Sequence, residues 1–306
     1  MAAIEAADDL GEFYSDEDLL EELDDPELGE GGLVGAFEDD RMVGYWGAIA
    51  RGESEGRFRV HCQGGVAPDR RGRGLGTELI AAMVTHADSL HLTGDAGKPA
   101  IFQFVGRSDN EPQRDALTRT GFVAERWTFG MQVRLADAPT PVPAPAGYRI
   151  RGYQPNLDDA MRNAHNAAFL DHPNFAPWSP ERWTQWGSGS HNFRPTLSFV
   201  VVPDSEPGNV VAYVETKEFD ADTAATGLRE AYVAKLGTVR GHRGSGLASM
   251  LLLHMLAACR EQGFAAAALD VDSENPTGAL GIYERAGFRV VRRFTEYCVH
   301  RPPVRS

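Results

Sequence analysis

The chain is an acidic protein with the composition of a globular fold. Its 306 residues carry a formal net charge of −14, and 42% of them are hydrophobic, which is enough for two ordinary domains with separate cores. The charge is uneven, because residues 1–40 hold 16 acidic side chains and no basic one, whereas the rest holds 30 basic and 28 acidic residues. Without a basic stripe to contact phosphates, we expect no nucleic-acid partner.

The first half begins with acidic helices and continues with strands. Residues 2–13 and 15–23 predict two short helices, with Ser15 as the cap of the second and Asp18 three residues later. We interpret this start as a solvated helical face, the alternative being a negative rim that attracts cationic substrates. Further helices are predicted at Leu75–Leu90 and Pro112–Arg119, and strands at Gly32–Phe37, Met42–Ala50, Phe58–Val66, Ile101–Val105, Phe122–Trp127 and Met131–Leu135.

A proline-rich segment separates the two halves. Prolines occupy positions 139, 141, 143 and 145, and such a run is extended and does not belong to a core. We therefore expect an N-terminal domain at 1–137, a linker at 138–147 and a C-terminal domain at 148–306.

The second half repeats the order of the first with one strand more. It begins with a strand at Tyr148–Arg151, which has no counterpart near Met1, so the first sheet is expected to lack an edge strand. The other predicted helices are Leu157–Phe169, a helix starting at Ser179-Pro180, Leu247–Gln262 and Thr277–Ala286, and the strands are Thr196–Val202, Val210–Glu218, Glu230–Val239, Ala266–Asp270, Phe288–Val291 and Glu296–His300.

The cysteines and the apolar runs indicate the cellular compartment of the protein. Cys62, Cys259 and Cys298 lack metal-ligand spacing, and an odd number does not suggest a disulfide framework. The N-terminus is acidic, unlike a signal peptide, and the longest apolar run, Leu247–Cys259, is too short to span a bilayer. We expect Cys62 and Cys259 to be buried, and the protein to be cytoplasmic, reduced, away from membranes, and a monomer or homodimer.

One glycine-rich stretch occurs in both halves. Arg71-Gly-Arg-Gly-Leu-Gly76 and Arg243-Gly-Ser-Gly-Leu-Ala248 each follow a strand-like run and open a long apolar helix. Glycine allows close approach of a ligand, and the free amides of a first helical turn favour an anion. The alternative is a glycine-rich helix cap without a ligand, against which the repetition argues. The loops are offset by 172 residues and the later Gly-Phe pairs by 166, which places about six extra residues near His91–Pro99.

Other phosphate-binding loops do not fit this pattern. A Walker loop needs Gly-Lys-[Ser/Thr], and a dinucleotide fingerprint needs Gly-x-Gly-x-x-Gly after a first strand. Arg-x-x-Gly-x-[Gly/Ala] after a mid-domain strand resembles the acetyl-CoA pyrophosphate loop of the GNAT-type N-acetyltransferases. The resemblance implies an α/β (α+β) fold of two tandem GNAT-type domains, each with a mixed, mostly antiparallel central sheet flanked by helices.

The resemblance also implies how acetyl-CoA binds. The loop amides hold the pyrophosphate, the preceding strand pairs with the pantetheine arm, and the acyl group lies where that strand diverges from Ala266–Asp270; no metal is needed. The expected contacts in the second half are Leu236, Gly237, Thr238, Val239, Arg243, Gly244, Ser245, Gly246, Leu247, Ala248 and Asn275. Those in the first half are Val66, Arg71, Gly72, Arg73, Gly74, Leu75 and Gly76.

By the same resemblance, Tyr283 faces the cofactor sulfur as the general acid. A tyrosine is neutral and a donor at pH 7, although it could instead pack beneath its helix with the hydroxyl at the surface. The matching residue of the first half is Leu117, which cannot donate a proton. We therefore expect a catalytic second copy and a first copy that binds acetyl-CoA without catalysis or serves as a scaffold. Arg240 stands where the family usually has proline, which is a departure in the second copy.

A general base is needed because the attacking amine is largely protonated at neutral pH. The family often uses a glutamate on the strand before the loop, which favours Glu230 over Glu215 and Glu218 on the preceding strand. Each could instead be a solvated carboxylate at a strand edge.

The acceptor is expected over the loop that joins the first two helices of the second half. An aromatic and acidic surround suits a cationic amine. The alternative is that the aromatic residues only pack the helices onto the sheet, which we favour for Trp183. The expected acceptor contacts are Asp171, His172, Phe175 and Trp178.

Within the family, the chain looks most like the mycothiol synthase type. The runs Phe169-Leu-Asp-His-Pro173 and Asn275-to-Phe288 carry that likeness. It implies acetyl transfer from acetyl-CoA to a primary amine of a small molecule by direct attack. Two alternatives remain open, a mycothiol synthase proper and a non-catalytic acyl-CoA-binding or sensing protein.

Overall fold

A computed structural model describes residues 1–8, 13–25, 27–172, 175–274 and 278–304. The helices are α1 Ala2–Asp8, α2 Asp16–Leu23, α3 Leu75–Asp95, α4 Glu111–Arg119, α5 Asp158–Phe169, α6 Pro180–Trp186, α7 Asp220–Thr226, α8 Leu247–Glu261 and α9 Ala279–Arg285. The strands are β1 Leu33–Glu38, β2 Arg41–Ser54, β3 Arg57–Val66, β4 Ala100–Arg107, β5 Val123–Arg134, β6 Tyr148–Gly152, β7 Phe199–Pro203, β8 Ala212–Lys217, β9 Glu230–Thr238, β10 Ala266–Asp272 and β11 Arg289–Arg301.

The chain forms two compact units. Unit 1 runs to Thr128 and includes the C-terminal residues from Arg292, and unit 2 is Phe129–Val291. In unit 1, β1, β2 and β3 are antiparallel, β4 runs parallel to β3, and β11 is antiparallel to β4. In unit 2 the order is β5-β10-β9-β8-β7-β6, with β10 parallel to β9. The predicted fold class, a mixed sheet flanked by helices in each copy, is confirmed.

Several local predictions are confirmed by hydrogen bonds and lengths. The Ser15 hydroxyl accepts from the Asp18 amide at 3.1 Å, and the Asp18 carboxylate accepts from the Ser15 amide at 2.7 Å, which is a capping box. The extra residues of the first copy lengthen a helix, since α3 has 21 residues and α8 has 15. The sheet of unit 1 begins at β1, with no counterpart of β6 among the described residues. Cys62 and Cys259 are buried and unpaired.

The structure differs from the predicted elements at four places. The strand pairs expected at 122–135 and at 288–300 are single long strands, β5 and β11, because the residues between the predicted pieces stay extended. Thr196 and Leu197 lie in a 3₁₀ turn before β7. Helix α7 was not predicted, because it buries no residue and therefore shows no apolar period.

The domain bounds expected from the sequence differ from the units in the placement of the last strands. The C-terminal strand pairs with β4, from Phe294 with Arg107 to Arg301 with Ala100, and buries Tyr297 in the core of unit 1. Conversely, Met131 and Val133 of β5 lie in the core of unit 2. Each repeat thus supplies its last strand to the unit that holds the other repeat. The proline-rich segment is also partly packed, since Ala138 and Ala144 contact the core of unit 2.

The strand exchange predicts where a core mutation is felt. Tyr297 is 3% exposed, and we expect Tyr297→Ala to destabilise unit 1 by about 3–5 kcal/mol, the usual loss for a large core side chain. In hydrogen exchange, the amides of β3 and β4 should exchange faster while those of β9 and β10 keep the wild-type rates. The matched variant Val133→Ala should show the reverse. Faster exchange in β9 and β10 for Tyr297→Ala would contradict the assignment.

Candidate active site

The loop between β9 and α8 is shaped by two glycines. Gly244 and Gly246 have φ of +77° and +79°, a region that disfavours residues with a Cβ. Gly246 is the N-cap of α8, and because it lacks a side chain it leaves the amides of the first turn uncapped. A Cβ on Gly246 would meet no protein atom within 4 Å, so open space lies over these amides. The loop can therefore accept an anion.

Unit 1 carries the same loop. Gly72 and Gly74 have φ of +73° and +91°, and Gly74 is the N-cap of α3. A Cβ on either glycine would also meet open space. The repeated sequence therefore folds into the same backbone in both copies.

The loop arginines brace the backbone. Arg243 donates to the Thr238 carbonyl at 3.1 Å, to the Ala168 carbonyl at 2.7 Å and to the Asp171 carboxylate at 2.8 Å. In unit 1, Arg71 donates to the Val66 carbonyl at 2.9 Å and to Asp8 at 2.8 Å. These side chains tie each loop to the strand before it and to the end of a helix. Asp171, predicted as an acceptor contact, holds this arginine.

The parallel strands β9 and β10 separate shortly after they begin. Their pairing runs from Glu230 with Ala266 to Tyr232 with Ala268. The pairing of β8 with β9 shifts register between Glu215 and Thr216, which places an extra residue, Ala234, on β9. A bulge of this kind bends its strand. The divergence expected from the resemblance is therefore present, and it opens a gap between the two strands.

A cavity of about 520 Å³ occupies this gap in unit 2. It extends from the glycine loop along the end of β9 to the face of α9 that carries Tyr283. Val239 and Ser245 lie beside it without lining it, and Asn275 lies outside the described residues. The predicted site residues that line it are Leu236, Gly237, Thr238, Arg243, Gly244, Gly246, Leu247, Ala248, Asp171, His172 and Tyr283.

Tyr283 lies on α9 at the wall of this cavity. It is 9% exposed and packs against Phe288, with ring centroids 6.1 Å apart. Burial raises the pKa of Tyr283 to about 12, because a buried phenolate is poorly solvated. The side chain is therefore a neutral hydrogen-bond donor at physiological pH.

The structure does not bring Glu230 to this cavity. Glu230 is the first residue of β9, at the end of the strand away from the loop, and its carboxylate accepts from Gln132 at 2.5 Å. Glu218 is held by Arg194 at 2.9 Å and Arg229 at 2.7 Å. These positions argue against either glutamate as the base.

Asp270 is a carboxylate that the sequence reasoning missed. It lies on β10 just beyond the divergence, lines the same cavity as Tyr283, and accepts from the Tyr232 hydroxyl at 3.2 Å. The alternation in Leu269-Asp-Val-Asp272, with two buried apolar residues between exposed or half-buried acids, was the available signal. It shows that the end of this strand has an acidic face.

The aromatic surround expected for a cationic acceptor holds a lysine of the protein. Nζ of Lys235 lies 4.6 Å from the Trp178 ring centroid and 2.8 Å from Oε1 of the fully buried Glu215. Trp178 therefore makes its cation–π contact within the fold. Phe175 packs against His165 at 5.3 Å, and Trp183 is buried as expected. The assignment of Phe175 and Trp178 to acceptor recognition stays a prediction, and neither residue lines the cavity that holds Tyr283.

His165 lies at the centre of this cluster. Its Nδ1 is 2.5 Å from the Tyr213 hydroxyl, and the Tyr213 ring crosses the strand at Gly237, where a Cβ would come within 2.6 Å of it. Burial, together with the charges of Lys235 and Arg182, lowers the pKa of His165 to about 3. The imidazole is therefore neutral in the folded protein.

This buried histidine predicts acid sensitivity. In the unfolded state the imidazole of His165 is protonated below about pH 6.5, whereas in the folded state it stays neutral down to about pH 3. The free energy of unfolding therefore decreases as the pH falls through this window. Between pH 7.5 and pH 5 the loss from His165 should be about 2 kcal/mol. We expect His165→Gln to remove it in urea unfolding followed by tryptophan fluorescence, whereas the exposed control His191→Gln keeps it. An unchanged pH dependence in His165→Gln would contradict the neutral state.

Unit 1 has a cavity of about 520 Å³ beside its own loop, lined in part by Val66, Arg71, Gly72, Gly74 and Gly76. Arg73 and Leu75 do not line it. Leu117, the counterpart of Tyr283, is fully buried in the core. Among the residues described for unit 1, this helix position therefore offers no proton donor.

The described part of the chain contains no group of three or more His, Cys, Asp or Glu that could hold a metal ion. Its described helices are also too short or too polar to span a bilayer.

Comparison with known proteins agrees with this architecture. The model of the acetyltransferase (GNAT) family matches residues 3–122 and again residues 159–288. A mycothiol acetyltransferase of Tsukamurella paurometabola is 32% identical over 239 residues, which cover 76% of this chain and 75% of the relative.

Two solved structures share the whole fold. A GCN5-related N-acetyltransferase from Sphaerobacter thermophilus covers 100% of this chain and 92% of its own, with a TM-score of 0.75 and 25% identity. A tandem GNAT protein from the clavulanic acid biosynthesis pathway covers 99% of this chain and 94% of its own, with a TM-score of 0.68; its 17% identity shows the fold alone. The chain therefore belongs to the GNAT acetyltransferase family, as an acyltransferase with two tandem GNAT domains.

Proposed function

We propose that unit 2 transfers an acetyl group from acetyl-CoA to a primary amine of a small molecule. The observation that carries this proposal is that one cavity joins an open anion-binding loop, a gap between parallel strands and a buried neutral tyrosine. When bound, acetyl-CoA supplies the thioester that the amine attacks. The family membership of the chain supports the same reaction class.

The loop and the end of β9 are the proposed cofactor site. The amides from Gly244 to Ala248 receive the pyrophosphate, since they are uncapped and face open space. The free edge of β9 beyond Tyr232 offers unpaired backbone groups for the pantetheine arm. Asn275 and the matching loop residues of unit 1 remain proposed contacts from the family resemblance.

Tyr283 and Asp270 divide the proton transfers. Asp270 holds the incoming ammonium ion by its charge and takes the proton that the amine must lose before it attacks. As the C–N bond forms and the C–S bond breaks, Tyr283 would donate its proton to the leaving thiolate. A pKa of about 12 keeps Tyr283 protonated until that moment. The second proton of the attacking nitrogen leaves for solvent, and the Tyr283 phenolate takes a proton back from solvent, so that one proton is released in each turnover.

The acceptor class follows from the named relatives. Since the compared relative is a mycothiol acetyltransferase, the first acceptor to test is the cysteinyl-glucosaminyl-inositol amine. Acetylation of this compound would favour the mycothiol synthase reading. Acetylation only of other primary amines would leave the reaction class intact and exclude that acceptor.

Removal of the Tyr283 hydroxyl tests the general acid. We expect Tyr283→Phe to lower kcat by about 10²–10⁴-fold, the usual contribution of a positioned acid, with little change in the Kd for acetyl-CoA measured by calorimetry. The control Tyr153→Phe removes a hydroxyl bonded to Asp158 and should keep the wild-type rate. An unchanged kcat in Tyr283→Phe, or a large loss of affinity, would reject the acid role.

Substitution of Asp270 tests the base and separates it from Glu230. Asp270→Asn should reduce kcat/KM for the amine by roughly 10²-fold or more, with acetyl-CoA affinity unchanged. Glu230→Gln should have no such effect, because Glu230 does not line the cavity. The opposite result, a loss in Glu230→Gln alone, would return the base to Glu230.

A further inference from the structure

The cavity of unit 1 extends along its helix in a way that the cavity of unit 2 does not. In unit 1 its wall follows one face of α3, from Gly76 and Thr77 through Leu79 and Ile80 to Met83. At 1.5 Å per residue this face is roughly 10 Å long. In unit 2 the cavity touches α8 only at Leu247, Ala248 and Ser249. The two cavities have similar volumes but different directions.

Two side chains that line the cavity of unit 2 have smaller counterparts in unit 1. Leu236, which pairs with Val214 on β8, packs against the core of unit 2, and its counterpart is Gly64, which pairs with Trp46. Ile282 lines the cavity of unit 2, and the residue at the matching helix position in unit 1 is Ala116. With neither side chain present, the inner face of α3 stays uncovered.

The far end of the unit 1 cavity is apolar and buried. Trp46, Met83 and Phe104 line it and are 8%, 1% and 4% exposed. Polar lining residues lie elsewhere on the wall: Asp8, Gln63, Arg71 and Thr77 belong to α1, β3, the loop and α3, and Asn110, Asp115 and Arg119 belong to α4 or its cap. An apolar group that enters past the loop would therefore leave water for hydrocarbon and aromatic surroundings.

We propose that unit 1 binds an acyl-CoA whose apolar acyl chain is longer than acetyl. The inference rests on the proposed function in one respect, that the glycine loop of unit 1 holds the CoA pyrophosphate. The acyl chain then lies along Leu79, Ile80 and Met83. Because Leu117 stands where unit 2 has Tyr283, unit 1 holds this thioester without transferring it.

Calorimetric titration with acetyl-CoA and octanoyl-CoA tests the inference, using each copy as the control for the other. Gly246→Val leaves the loop of unit 1, and Gly74→Val leaves the loop of unit 2. Each buried methylene should tighten binding about fourfold, so the Gly246→Val protein should bind octanoyl-CoA at least roughly tenfold more tightly than acetyl-CoA. The Gly74→Val protein should show no preference for the longer chain.

A second pair of variants locates the chain. In the Gly246→Val protein, Ala116→Leu should abolish the preference for octanoyl-CoA by refilling the space, with acetyl-CoA binding retained. In the same protein, Thr118→Leu serves as the matched control, because Thr118 is exposed on α4 and does not line the cavity, and it should keep the preference for octanoyl-CoA. Circular dichroism at 222 nm checks that each variant is folded.

The outcomes separate this inference from the proposed function. Equal binding of the two thioesters by Gly246→Val, or an unchanged preference after Ala116→Leu, overturns the long-chain site and leaves the cofactor loops standing. If Gly246→Val binds acetyl-CoA, octanoyl-CoA and free CoA all undetectably, the loop of unit 1 does not hold CoA, and both the inference and that part of the proposed function fail.

Discussion

The site depends on the parting of two parallel strands. Hydrogen bonds join β9 and β10 for only three residue pairs before the strands separate, and unpaired backbone edges and a cavity result. A parallel pair inside a sheet would normally continue, because each unpaired backbone group must find another partner. The bulge at Ala234 turns the strand at this point. The buried Lys235–Glu215 pair, 2.8 Å apart, lies directly beside it, and we infer that this pair keeps the bulge in place.

The duplication shows which parts of the site belong to the backbone and which to the side chains. Both copies keep the left-handed glycines, the arginine that ties the loop down and the helix that starts on the loop. They differ in side chains at two of the matching positions, since Tyr283 corresponds to Leu117 and Leu236 to Gly64. The same backbone can therefore hold a similar cofactor in two ways, once with a proton donor and once with an apolar recess.

The glycine loops and the helices that follow them could be predicted from the sequence, because each is encoded by adjacent residues. The exchange of last strands could not be predicted, since the order of elements does not specify which sheet a terminal strand joins. The distance of Glu230 from the cavity could not be predicted for a related reason. Position on the correct strand does not fix which end of that strand faces the cavity, and Asp270 became visible only when the register of β9 and β10 was known.

The aromatic residues between the helices show a further limit of sequence reasoning. Trp178 and the carboxylate of Glu215 do bind a cation, as their chemistry suggests, but that cation is the ammonium group of Lys235 on β9. A pattern of residue types gives the chemistry of a cluster without showing whether the protein already satisfies it.

The most direct test of the account is the rate of CoA release by the two loop variants, with an amine that the intact chain acetylates. Because the account places the chemistry in unit 2, Gly246→Val should reduce the rate to background while Gly74→Val keeps most of it. Loss of activity in Gly74→Val together with retention in Gly246→Val would contradict the account and place the active site in unit 1.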